Sequence, residues 1–155
     1  MNLQDALDPR GRLTVQKTDA RNRLVETIHV HNSIVLSGRD LIAKLFVKEA
    51  IEPVSHVAVG TGTTPVQAPD EKLANEVFRK PITPIDPSQH ITTTAANKRK
   101  VTITADLDFG EANDALTEAG LFNAASAGVM YNRVVFPPIN KTADFKLTLI
   151  WEILF

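Results

Sequence analysis

The last eleven residues, Phe145 to Phe155, carry apolar side chains on both sides of an extended chain. Phe145, Leu147, Leu149, Trp151, Ile153 and Phe155 fall on one face, while Lys146, Thr148, Ile150, Glu152 and Leu154 fall on the other, which is only partly polar. Exposed at an edge, such a strand would template aggregation, so it belongs in the middle of a packed sheet or against another subunit. The rest of the chain must supply its neighbours.

Strand patterns do recur. Val101, Ile103, Ala105, Leu107 and Phe109 alternate with Thr102, Thr104, Asp106 and Asp108, the signature of a half-buried strand. Leu13, Val15 and Lys17 alternate with Thr14 and Gln16; turn residues 21–23 follow, and then Leu24 to His31 with Val25, Thr27, Ile28 and Val30. This pair reads as a hairpin. His56 to Val59 is a short apolar strand, and Leu116 onward reads as two strands around a small-residue turn at Ala124 to Gly128. Helical spacing is confined to Leu41, Ile42, Leu45 and Phe46, where Ser37 and Asp40 have the form of a capping box and Pro53 ends the run. Between Gly60 and Pro87 the prolines forbid a long regular element, and Leu73, Val77 and Phe78 mark a single helical turn or an irregular strand. The expected fold is mainly β: an antiparallel β-sandwich or barrel-like sheet with one substantial α-helix at about 38–50 and a long irregular loop. Residues 1–12 read as an N-terminal arm and 13–155 as a single domain.

Composition narrows the function. A chain of 155 residues with 43% hydrophobic content buries enough surface for one real core. Its net charge of -1 provides no general field for nucleic acid, and no apolar run approaches the ~20 residues of a membrane span. The opening MNLQDALDPRGR lacks the apolar core of a secretory signal, so a soluble, unsecreted chain is expected. Without cysteine there is no disulfide framework and no thiolate nucleophile.

Chemical motifs are sparse. Gly60-Thr61-Gly62-Thr63-Thr64-Pro65 follows a strand but lacks the Lys-Ser/Thr of a phosphate loop, so a turn needing positive φ is the plainer reading. His29 and His31 lie two apart on a strand and share a face, which is compatible with a metal if His56 or His90 supplies a third ligand. Solvated strand histidines are the commoner case. Asp106 and Asp108 are likewise either an acid pair or a solvated strand face, and neither Ser37 nor Ser126 lies in a G-x-S-x-G elbow. Lys98-Arg99-Lys100, without interleaved aromatics, reads as a solvated loop or a contact to an acidic partner.

Three stretches, 57–82, 116–141 and the terminal strand, together resemble the pattern of tailed-bacteriophage virion proteins, in particular the N-terminal attachment domains of tail-fibre and baseplate-associated proteins. The resemblance rests on a strand running into Gly60 and Gly62, a segment with Leu73, Glu76 and Arg79, a Glu118-x-Gly120-Leu121-Phe122 motif, and Pro137-Pro138 before the last strand. The glycines suit positive φ or close backbone approach. Glu118 is placed either to accept backbone N–H groups or to pair with Arg79, and Pro137-Pro138 to keep an edge open to a neighbour. The resemblance implies a non-enzymatic virion component: an oligomeric tail or baseplate module, a homotrimer, that connects or anchors tail fibres. Its partners would be itself and other virion proteins, with no cofactor, small-molecule substrate, nucleic acid or membrane, and it would be assembled in the host cytoplasm. A capsid decoration protein is the alternative, and a small metal- or ligand-binding β-sandwich enzyme using His29, His31 and the Asp106/Asp108 face is a second.

Overall fold

The computed structural model describes residues 10–155. In chain order its elements are β1 (Arg10–Asp19), β2 (Leu24–Ile34), α1 (Leu36–Phe46), β3 (His56–Gly60), β4 (Glu76–Pro81), α2 (Pro87–His90), β5 (Ile91–Thr93), β6 (Arg99–Leu107), β7 (Ala115–Phe122), β8 (Met130–Asn140) and β9 (Phe145–Leu154). The strands form one antiparallel sheet in the order β4-β3-β7-β8-β2-β1-β9-β6-β5, curled into a half-barrel. The mainly β, barrel-like architecture is the one the alternation predicts.

β9 lies inside the sheet, paired with β1 on one side and β6 on the other. Its Leu147, Leu149, Trp151 and Ile153 are buried, which is how a strand apolar on most of both faces avoids exposure. The curl comes from β2, which follows β1 for most of its length but meets β8 only at Ser33 and Ile34. On either side of this junction the two halves of the sheet face a common core. Leu13, Val15, Ile103, Leu149 and Trp151 come from one half, and Val57, Val59, Leu121, Val134 and Phe136 from the other. The β3–β7–β8 half has a second covered face, where Val35, Ala58, Leu73, Phe122 and Met130 pack together.

Several boundaries differ from expectation. Arg10, Gly11 and Arg12 are not arm but strand, paired with Leu154, Ile153 and Glu152; the remainder of the proposed arm, residues 1–9, lies outside the described residues. The helix spans Leu36–Phe46 rather than 38–50, because Lys48 turns the chain at φ 59 well before Pro53. The capping box is absent: Val35 occupies the N-cap without a side-chain cap bond. Ser37 Oγ donates instead to the Met130 carbonyl at 2.7 Å, and Asp40 pairs with Lys44 at 2.8 Å. Docking on β8 has claimed the hydroxyl. Phe78 belongs to strand β4, and α2 and β5 form within a proline-rich stretch read as irregular. Asp86 caps α2 by accepting from the Ser88 N–H at 2.9 Å.

Gly38 lets α1 approach β8 closely: a Cβ there would lie 1.9 Å from the Tyr131 carbonyl oxygen, a backbone atom that has little room to yield. Gly38→Ala is therefore expected to lower stability by about 1–3 kcal/mol, the usual cost of overpacking. Chemical denaturation, read as a fall in midpoint at constant slope, checks this.

Candidate functional site: the Glu118–Arg133 clamp

The motif residues converge on the outer face of β3, β7 and β8, beneath the loop of residues 61–75. Glu118 on β7 opposes Val135, and Gly120, two residues on, opposes Arg133, so Glu118 and Arg133 are diagonal neighbours on this face. Both are buried, at 0% and 2% exposure. Arg133 Nε donates to Glu118 Oε2 at 2.9 Å, and its Nη2 lies 2.8 Å from the same oxygen. Glu118 also accepts from the backbone N–H groups of Gly62 (3.0 Å), Ala74 (3.0 Å) and Asn75 (2.7 Å). The remaining Arg133 donors reach Asp70 at 2.8 Å and the Thr64 carbonyl at 3.1 Å. One ion pair thus ties down both ends and the middle of the loop, and each charge leaves water only because its bonding capacity is filled.

The glycines serve close approach. Gly60 and Gly62 do not take positive φ; among the described glycines only Gly128 does. A Cβ at Gly62 would sit 2.4 Å from Glu118 Oε1, and one at Gly60 would sit 2.3 Å from the Asn75 carbonyl oxygen. Either would fill the space in which the carboxylate receives the loop. Gly120 likewise faces Leu73, whose buried side chain packs with Phe122 in the second core.

Of the two roles open to Glu118, the structure contains the backbone one. Arg79 does not pair with it: its Nη2 lies 2.6 Å from Glu76, its plane stacks on the Phe122 ring at 3.7 Å, and Nη1 donates to the carbonyls of Ala124 and Ala127. Arg79 therefore holds the β7–β8 turn while Arg133 holds the long loop. Leu121 points to the opposite face, into the main core. Pro137 and Pro138 are exposed on β8 at a register shift, beyond the last rung shared with β2. Sequence reasoning missed Arg133, although an arginine inside the apolar run YNRVVF requires a buried partner. It also missed Lys141, 1% exposed, whose Nζ donates to the Asp108 carbonyl and Asn113 Oδ1, both at 2.8 Å. Burial pushes the Lys141 ammonium below its ordinary pKa.

The metal candidates do not assemble. His29 and His31 do share the outer face of β2, but His29 Nδ1 is hydrogen-bonded to Thr14 Oγ1 at 2.9 Å, and His56 and His90 lie on β3 and α2. Asp106 lies on β6, three strand spacings from β2, roughly 14 Å away at ~4.8 Å per step. It accepts from Thr148 at 2.6 Å, and Asp108 pairs with Lys146 at 3.0 Å. No group of three potential ligands comes together among the described residues. On the same outer face Glu152 accepts from both Lys100 and Arg12.

Comparison with protein-family models, with curated proteins and with solved structures gives no match in any of the three.

Two outcomes follow from this geometry. Arg133→Met alone strands the buried Glu118 carboxylate and is expected to cost about 3–5 kcal/mol, whereas Glu118→Gln leaves Arg133 its Asp70 partner and costs less, and the double variant recovers part of the Arg133→Met loss. Denaturation of the three variants tests the balance, and amide exchange should show the Gly62, Ala74 and Asn75 N–H groups losing protection. Hydrogen bonds from Lys100 and then Arg12 hold the Glu152 carboxyl below its ordinary value of 4.5. A depressed folded-state pKa adds stability above the unfolded value, lost as pH falls through the folded one. Glu152→Gln should therefore flatten the acid limb of the thermal midpoint plotted against pH.

Proposed function

We propose that this protein is a non-enzymatic structural component of a tailed-phage particle, an oligomeric tail or baseplate module that anchors fibres. The observation that carries the reading is the convergence of Gly60, Gly62, Leu73, Glu118, Gly120 and Phe122, drawn from two of the stretches with virion-like sequence, on one buried cluster. The motif is thereby accounted for as architecture: its carboxylate and its glycines hold a long loop in one shape. A loop fixed in this way presents a rigid surface, which suits repeated docking in a symmetric particle.

Apolar surface supports the same reading. At the end of α1, Phe46 is 90% exposed and Val47 70%, an uncovered apolar knob on a nearly neutral protein. Contact with other protein surfaces through shape and apolar burial fits such a patch better than long-range attraction does. Light scattering on the purified chain at micromolar concentration is expected to give a homotrimer, and Phe46→Asp to shift it toward monomer. A stable wild-type monomer would overturn the assembly reading. Localisation of the chain to capsid threefold sites in a particle density map would replace fibre anchoring with capsid decoration.

A further inference from the structure

Two neighbouring rungs at one end of the sheet gather positive charge. In the first, Leu154 of β9 lies between Arg10 of β1 and Lys100 of β6, directly opposite each. In the second, Arg12 of β1 lies between His31 of β2 and Glu152 of β9. Leu13, Ile103, Trp151 and Ile153 take the inward positions of β1, β6 and β9, so the period of two turns these charged side chains and Leu154 to the outer face. At ~4.8 Å per strand, Arg10 and Lys100 start roughly 10 Å apart across Leu154, and side chains of that length can meet one ligand. The cleft between them has a volume of about 360 Å³ and is lined by these residues and Thr94. It has room for a small organic molecule rather than a bare ion, and Leu154 gives it an apolar wall.

Charge in the cleft does not balance. Glu152 is its sole carboxylate, and it accepts from Arg12 Nε at 3.1 Å and from Lys100 Nζ at 2.7 Å. Those bonds hold both cations at the cleft while Arg12 Nη1 and two Lys100 protons keep donor capacity for something else. Arg10 pairs with no carboxylate among the described residues. Three cations against one carboxylate leave an excess of two positive charges with His31 neutral, on a chain whose net charge is -1. Such an excess repels itself, and a bound anion relieves it.

We infer that this cleft binds a small phosphate monoester, its phosphate held by Arg10, Arg12 and Lys100 and its organic part against Leu154. A phosphate monoester carries about −1.5 to −2 at neutral pH, which matches the excess, whereas a carboxylate would leave one cation unpaired. Guanidinium forks also fit phosphate oxygens in pairs. The inference goes beyond the assembly reading above and does not depend on it.

The test titrates the full chain with phenyl phosphate, phenyl sulfate and inorganic phosphate at one fixed ionic strength, followed by calorimetry and by amide NMR shifts. Phenyl phosphate is expected to bind at least about tenfold tighter than phenyl sulfate, which has a similar shape and less charge, and tighter than inorganic phosphate, which lacks the ring. Amide shifts should centre on Arg10, Arg12, Lys100 and Leu154. Arg10→Ala, which breaks no ion pair of the free protein, should weaken phenyl phosphate at least about tenfold. Lys98→Ala removes a cation of the adjoining turn that does not line the cleft, and should leave affinity within about twofold. Equal affinity for the two esters, shifts centred elsewhere, full affinity in Arg10→Ala, or an equal loss in Lys98→Ala would each overturn the inference. The shift map reads the unaltered chain, so it decides the matter even if a variant misfolds.

Discussion

The buried pair between Glu118 and Arg133 is the contact on which one whole side of the molecule depends. Two charges leave water together, and they remain buried because loop backbone and Asp70 fill the hydrogen-bonding positions that solvent gave up. The long loop is thereby a covering layer rather than an appendage. It delivers Leu73 to the second core, and that core in turn backs Val35 at the entrance to α1. Without the pair, the outer face of β3, β7 and β8 would lose its cover and the helix part of its support.

A second constraint acts through β2. By leaving β8 after two rungs and following β1, this strand bends one sheet into two facing halves and produces the main core between them. The same departure opens the strand edge. Closure of the core and exposure of the edge are thus two results of one geometric choice, since a β2 paired along its full length on both sides would leave no edge to offer.

Much of this was legible residue by residue. Alternation in the segments that became β6 and β9 identified the inward set, because a strand has a period of two and the core accepts only one side. The glycines and prolines of residues 61–75 mark a long loop, although β4, α2 and β5 form in the stretch that follows, and Gly62 and Glu118 stand out as members of two separate motifs. What escaped was local structure overruled by packing. Ser37 has the right neighbours for a cap, but its hydroxyl bonds Met130 across the helix–sheet contact. Arg79 lies at a plausible spacing from the motif, yet Arg133 takes the carboxylate, because strand register rather than sequence distance sets which arginine is adjacent.

From the chain alone came the fold class, the need of the last strand for cover on both faces, the near-neutral surface and the residue types of the motif, all properties that follow from periodicity and composition. Tertiary structure decided the partner of Glu118, the close-approach role of Gly60 and Gly62, and the free edge of β2. Those depend on which strands become neighbours and in what register, and such long-range pairing is written in no single segment.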